Sequence, residues 1–394
     1  MMIQAVLGNP NHPEYGVATI PFPIPHDQYA HCMELLEALE IGDAVKTDCK
    51  VEKIDSFYTV LKRAEMLTVN VEELNYLAKR LESFDTGEAA QFQAMAHKLE
   101  LFELKDLINL TFCCQQATVI TDFSDLAAVG RDHYMNLHGG SASVDELNAL
   151  DDKGTARQLI ESGSGTVTPY GVVYDNGMKL EQVYDGRFFP CYYYEPNVIT
   201  VAVTSKAEPE DTEHITWLYL PMVQEEIDRA LLRGGITDPA DVRLQLEDSQ
   251  LPNEVDVLLD MEYETLSDLN ELAAATDGLS NADMEKLGAV VTLAEPKSAA
   301  QIKNLAESLD LFDLAPGAHT PQEYGKYMIQ QSGRFEYDEN LDAFYDYEKY
   351  GTERMNAEDG MFTDRGYIAY KGYISMEEVI NGSQSSHMVM RGMM

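Results

Sequence analysis

Leu266-Ser-Asp-Leu-Asn-Glu-Leu-Ala273 opens the stretch that decides the fold of this chain. The stretch runs on through Ile302-Lys-Asn-Leu-Ala-Glu-Ser-Leu-Asp-Leu-Phe-Asp313, Glu323-Tyr-Gly-Lys-Tyr-Met328 and Phe344-Tyr-Asp-Tyr-Glu-Lys-Tyr-Gly351. It closes on Gly366-Tyr-Ile-Ala-Tyr370. Apolar residues recur at helical spacing and then give way to a short aromatic and β-branched run. That pattern predicts short helices followed by a strand. Acids and tyrosines crowd the same residues.

A weaker version lies earlier in the chain. Leu74-Asn75 corresponds to Leu269-Asn270, Leu77-Ala78 to Leu272-Ala273 and Asn109-Leu110 to Asn304-Leu305, each pair 195 residues apart. Asp43 and Asp238, Gly130 and Gly325, Gly165 and Gly360, Thr168 and Thr363, and Gly171 and Gly366 keep the same offset. Ile3-Gln-Ala-Val6 parallels Val198-Ile-Thr-Val201, and Glu181-Gln-Val-Tyr-Asp-Gly186 parallels Glu377-Glu-Val-Ile-Asn-Gly382 with one residue of slip. The period is far longer than a solenoid repeat, so it predicts two domain-sized copies, 1–190 and 196–394. The join, Arg187-Phe-Phe-Pro-Cys-Tyr-Tyr-Tyr194, is too aromatic for a free linker and is expected to pack between them.

In the first copy, Ile3–Leu7 reads as a strand and Val17–Ile24 as an extended piece limited by its prolines. His26–Leu39, Val71–Leu81, Glu88–Leu101 and Leu104–Phe112 read as helices, and Gly163–Tyr174 as a hairpin. The expected class is α+β: an elongated protein of two tandem copies, each made of small α/β subdomains with a helical middle segment.

Composition narrows the function. The 394 residues are 45% hydrophobic, enough for real cores, and carry a net charge of −40 from 68 acids and 28 bases. Such a surface repels phosphates, so direct nucleic-acid binding and binding to an anionic membrane are not expected. Residues 1–195 hold 30 acids and 14 bases, and residues 196–394 hold 38 and 14, so acid covers the whole chain and is denser in the second copy. No acidic tail accounts for it, which points to a shaped negative surface. The five cysteines show no C-x-x-C spacing, so a cytoplasmic, reduced protein is expected. The N-terminus has no basic region before its apolar residues, and no apolar run is long enough to span a membrane.

Catalytic motifs are weak. Gly163-Ser-Gly165 lacks the spacing and the Lys-Ser/Thr of a phosphate loop and reads as a turn. His26, His31 and Cys32 lie close in sequence, yet their spacing does not share a helix face and no fourth ligand follows, so no metal or cofactor is expected. Asp338, Asp342 and Asp346 recur every four residues with Glu339 beside them, a spacing that could line one helix face. They form no calcium loop, and paired acids for glycoside hydrolysis stay an open alternative. Tyr337, Tyr345, Tyr347, Tyr350, Tyr367 and Tyr370 are expected to pack rather than to stack on bases.

Charge also sets a length scale. Duplex DNA carries one charge per roughly 1.7 Å of axis, so forty charges correspond to roughly 68 Å, about 20 base pairs. A compact globule of this length is only about 55 Å across. An elongated two-copy chain can carry its acids at about the linear density of DNA.

The segments Leu269-Asn-Glu-Leu272, Glu323-Tyr-Gly-Lys-Tyr-Met328, Asp346-Tyr-x-x-Tyr-Gly351 and Gly366-Tyr-Ile368 resemble the ArdA antirestriction family. The resemblance is clearest over 266–370, fainter over 196–265, and faintest in the first copy. It implies a non-enzymatic inhibitor carried by plasmids and conjugative elements. Such an inhibitor imitates bent B-form DNA and occupies the DNA groove of type I restriction-modification enzymes. The implied fold is an elongated row of three small α/β subdomains, the middle one helical, assembled as a homodimer. This chain departs by having two copies, and by having Leu150-Asp-Asp-Lys-Gly-Thr-Ala156 where the second copy has the tyrosine-rich signature. A monomeric pseudo-dimer or a homodimer therefore fits. The expected mimic surface comprises Asp310, Asp313, Glu323, Glu336, Asp338, Glu339, Asp342, Asp346 and Glu348. An enzyme with an unrecognised carboxylate site and a salt-adapted acidic structural protein are the competing readings.

Overall fold

The computed structural model describes residues 3–207 and 213–382. The chain forms two compact units. Unit 1 comprises 1–195, 210–217 and 223–241, and unit 2 comprises 196–209, 218–222 and 242–394. Both mix helices with small antiparallel sheets, as an α+β protein should.

Unit 1 begins with a four-stranded sheet. Strand β1 (Ile3–Gly8) lies between β2 (Val17–Phe22) and β3 (Cys49–Asp55), with β4 (Thr68–Val69) at the edge. Ile3, Ala5 and Leu7 alternate into the core, the period-two pattern of a strand with one buried face. Helix α1 (Tyr29–Ala38) follows β2. A helical segment comes next: α2 (Val71–Glu82), α3 (Thr86–Lys98) and α4 (Leu104–Leu110). Asn70 starts α2 by accepting from Glu73 N–H, and Asp85 with Glu88 forms a reciprocal capping box on α3. Each such cap is worth about 1 kcal/mol.

The unit ends in a second sheet, β5 (Thr118–Ile120), β6 (Thr166–Thr168) and β7 (Gly171–Tyr174), with β7 central. Helices α5 (Leu126–Leu137), α6 (Val144–Ala149) and α7 (Asp152–Glu161) lie between β5 and β6 in sequence. A Cβ on Gly130 would fall 1.8 Å from the Asp152 carbonyl oxygen, so α5 and α7 meet backbone to backbone.

One further helix completes unit 1 from beyond the join. Helix α8 (Gln224–Gly234) buries Ile227, Leu231 and Arg233. Arg229 donates to Glu72 Oε1 (2.7 Å) and to the Gly42 carbonyl (2.7 Å). Arg233 donates to the Ala44 carbonyl (2.8 Å), Asn70 Oδ1 (3.1 Å), the Arg187 carbonyl (2.9 Å) and the Tyr184 hydroxyl. One buried guanidinium thus ties the loop before β3, the cap of α2 and the segment after Tyr184. The aromatic join packs inside this unit: Phe189 stacks on Tyr76 (4.5 Å) and Tyr184 (5.1 Å), and Tyr192 donates to the Lys79 carbonyl (3.0 Å). The expectation that the join packs between the two copies is corrected: it packs inside unit 1, with Phe189 held between Tyr76 of α2 and the Arg233 guanidinium of α8 (4.4 Å).

Unit 2 has a sheet of β8 (Ile199–Ser205), β9 (Thr216–Leu220) and β10 (Val242–Ser249), with β8 central. A helical segment follows: α9 (Asn253–Leu258), α10 (Leu266–Thr276), α11 (Asn281–Ala294) and α12 (Ala299–Ala306). The second sheet has β13 (Gly366–Tyr370) between β11 (Phe312–Pro316) and β12 (Asp359–Thr363). Helices α13 (Pro321–Gln330) and α14 (Tyr347–Asn356) pack beside it, and α15 (Met376–Ile380) closes the described chain.

The starts of α1, α2, α3, α4, α5, α7 and β7 lie 195 residues before those of α8, α10, α11, α12, α13, α14 and β13. Details keep that spacing. A Cβ on Gly325 would fall 2.0 Å from the Tyr347 carbonyl oxygen, as Gly130 does against Asp152. Asn75 accepts from Ile24 N–H and Asn270, 195 residues later, from Met222 N–H, both at 2.8 Å, with the donors slipped to a spacing of 198. Gly171 and Gly366 both turn at positive φ, 127° and 131°, conformations that favour glycine.

Arg233→Met should leave buried acceptors and the half-buried Glu73 without their cation. We expect a loss of about 3–5 kcal/mol, the usual scale for breaking a buried ionic network, read as a lower denaturant midpoint.

Candidate acidic interaction surface

Eight of the nine expected surface acids are exposed, and Asp313 is half-buried on β11. Asp310 lies in the 3-10 turn before β11. Glu323 sits in the first turn of α13 and accepts from His319 N–H (2.9 Å), a contact with the backbone that holds its carboxyl below the usual range. Glu348 occupies the first turn of α14, where a negative charge suits the helix dipole. Glu336 and Glu339 stand in solvent between α13 and α14. Asp313 is ion-paired with Arg334, so its charge is partly spent locally.

Asp338, Asp342 and Asp346 do not share a helix face, and that expectation is corrected. Asp338 caps a 3-10 helix, Glu339–Phe344, by accepting from Asn340 N–H (2.9 Å). Asp342 lies within that helix. Tyr345 then adopts an extended conformation, and Asp346 caps α14 by accepting from Lys349 N–H (3.0 Å). Aspartates favour helix starts over helix interiors, so a four-residue spacing here marks two successive caps.

Asp342 organises the segment. Its Oδ1 accepts from the Tyr337 hydroxyl (2.7 Å), the Tyr347 hydroxyl (2.5 Å) and Gln330 Nε2 (2.9 Å). Tyr347 and Tyr337, as donors, hold the Asp342 carboxyl below its usual range. The same carboxylate pushes the Tyr337 phenol up. The rings of Tyr337, Tyr345 and Tyr347 follow one another at 6.0 and 5.8 Å. Phe335 meets Tyr350 edge-on. Tyr367 is fully buried against Tyr324 at 4.2 Å, and Tyr370 packs on Phe312. The tyrosines pack, as their acidic setting implies.

Sequence reading missed two features. Glu358, just after α14, has a side chain only 6% exposed, ion-paired with Lys371 Nζ (2.7 Å) and Arg354, and it accepts from the Tyr324 hydroxyl (2.6 Å). Nothing in an acid-rich sequence separates it from its neighbours. Phe335, Leu341 and Phe344 are the second: large apolar side chains that face solvent.

Elsewhere in unit 2 a cleft of about 350 Å³ lies between α9 and α11, lined by Val257, Leu258, Val291 and the carboxylates Glu254 and Glu295. Glu254 is not a free acid, because Arg365 grips it with Nε and a terminal nitrogen, both at 2.7 Å, and holds its pKa down. Among the described residues, no group of three His, Cys, Asp or Glu side chains gathers as for a metal; His26 and His31 are exposed while Cys32 is buried. No helix among them is long and apolar enough to cross a membrane.

All nine expected acids fall inside one span that a known family recognises. Residues 212–369 match the family model described as antirestriction protein (ArdA). The ArdA match takes in β9, the middle helices and nearly all of the second sheet, and covers less than half of the chain. At the level of the family it supports an antirestriction function. No curated protein matches the chain.

Asp342→Asn should bring the Tyr337 phenol back toward its ordinary value, since its bond to that carboxylate is the main cause of its rise; Tyr347, raised first by burial and then by Asp342, should follow in part. An absorbance titration should then show tyrosinate forming at lower pH than in the parent protein.

Proposed function

We propose that this protein is an antirestriction inhibitor that acts as a DNA mimic. Its carboxylates stand in for phosphates and occupy the DNA channel of a type I restriction-modification enzyme or another host defence enzyme. The chain itself catalyses nothing and needs no cofactor. The observation that carries this reading is the coincidence of the ArdA match with exposed acids: Asp310, Glu323, Glu336, Asp338, Glu339, Asp342, Asp346 and Glu348 all lie within it and face solvent, and Glu323, Asp338, Asp342 and Asp346 are also anchored by hydrogen bonds. Half-buried Asp313 borders them on β11. Carboxylates held as caps are pre-placed, so pairing them with a target's Lys and Arg costs little extra ordering. A net charge of −40 favours a basic channel and disfavours nucleic acid itself.

We further read the chain as two tandem copies, with one chain serving in place of a two-subunit assembly in the cytoplasm of the host. The shared 195-residue spacing of helix starts and of the Gly130 and Gly325 crossings supports that reading, as does the recurrence of the Asn75 contact at Asn270. Light scattering on the purified protein should then report a monomer; a stable dimer at micromolar concentration would reject the substitution of one chain for two.

Occupation of a DNA channel makes inhibition competitive. Added duplex DNA should relieve it, and affinity should fall steeply as salt rises. Single neutralisation of Glu336, Glu339 or Glu348 should change little, since one exposed pair contributes about 0–1 kcal/mol, and neutralising all three should cost progressively more. Loss of all inhibition through one such change in a folded protein, with no salt effect, would refute the mimic.

A further inference from the structure

We infer that Leu341 and Phe344 form an apolar anchor within the acidic face, and that the surface it docks on is a basic protein face with an apolar recess among its cations. This rests on the proposed inhibition of a DNA-binding enzyme and adds a feature that DNA itself lacks.

Leu341 is 47% exposed and Phe344 is 83% exposed. They stand three apart on the 3-10 helix Glu339–Phe344, whose three-residue turn puts both on one side. The helix is not slack. Asp338 caps its start, Asp342 fastens its middle to Gln330 of α13 and Tyr347 of α14, and the tyrosine row leads into α14. The two apolar side chains are therefore held in water by a braced segment when they could otherwise collapse onto it.

The fold does not need them. Unit 1 builds the same helix pair, α5 and α7, with the same glycine-to-carbonyl contact. At the 195-residue spacing it has Glu146 and Ala149 where Leu341 and Phe344 stand. A helix pair that closes without the apolar pair leaves binding as its role.

Charge selects the occupant. From residue 335 to 348 the chain has no Lys or Arg, and Glu336, Asp338, Glu339, Asp346 and Glu348 of this same segment are exposed. A second copy of this chain would bring like charge to like. A basic surface is attracted, and an apolar recess in it rewards the aromatic ring. Large apolar anchors ringed by polar contacts are the usual centre of protein recognition. Burying a side chain of this size changes affinity roughly ten- to a hundredfold. That part resists salt, because screening acts on charges only.

The test uses the full chain and a purified type I restriction enzyme, with displacement of labelled duplex DNA as the readout at low and high salt. Leu341→Ser with Phe344→Ser forms the anchor variant. Val257→Ser, an exposed apolar change elsewhere in unit 2, serves as control. Glu336→Gln, Glu339→Gln and Glu348→Gln together form the charge variant. We expect the anchor variant to melt like the parent, to lose about tenfold or more in affinity at both salts, and to keep the parent's salt slope. The charge variant should flatten that slope, and the control should bind as the parent does. An anchor variant that binds like the parent while the charge variant weakens would overturn the anchor and leave the mimic intact. Failure of the parent protein to displace DNA would overturn both. If the anchor variant changes only the protein's self-association, the patch is a contact between copies and the inference is wrong.

Discussion

The crossing of α13 and α14 governs the acidic half of unit 2. Gly325 and Gly351 let the two helices touch through their backbones: an added Cβ would lie 2.0 Å from the Tyr347 carbonyl oxygen at the first and 1.8 Å from that of Pro321 at the second. No real side-chain atom survives at such distances. Two glycines therefore set the separation of the helices, and the segment between them must span a fixed gap. Its length and caps then decide which acids face out. Asp342 finds donors on both sides because Gln330 ends one helix and Tyr347 begins the other. Tyr324 and Tyr367 fill the space beneath, so the acidic surface rests on an aromatic floor.

Distribution of the cations sharpens the surface charge. Arg229, Arg233 and Lys79 are withdrawn into unit 1 to satisfy Glu72, Glu73, Glu195 and Glu226. Lys371 and Arg354 are drawn toward Glu358 in unit 2. A buried carboxylate needs such company, since desolvation penalises its charged form. Each base used inside is one fewer to neutralise an acid outside. Composition alone states the excess; the fold concentrates it at the surface.

Much of the architecture was legible. Leu74, Leu77 and Leu81 at helical spacing, the alternation of Ile3, Ala5 and Leu7, and the glycines around Thr168 and Thr363 each encode their element locally. Asp338, Asp342 and Asp346 misled because a spacing of four fits a helix face and also two successive caps, and only the backbone at Tyr345 separates these readings. The acidic character of the site was legible from composition, whereas its anchor was not. Leu341 and Phe344 read as core in any hydrophobic pattern, and their exposure depends on a cap, a cage and a crossing set by residues on both flanks. Arg233 was equally hidden. Its acceptors include Ala44, 189 positions away, and no local pattern reaches that far.

Helix α8 has a consequence for synthesis. The first 195 residues contain every strand and seven of the eight helices described in unit 1, yet the eighth, with its buried Arg233, arrives only after two strands of unit 2 have been made. Chains emerge from the ribosome at about 5–20 residues per second and fold domain by domain from the N-terminus. Unit 1 must therefore wait for some seconds with Glu72 and Glu73 uncovered and the aromatic join not yet pinned by its guanidinium. Order of manufacture and order of completion differ in this protein: the half that is born first is finished by a helix from the half that follows.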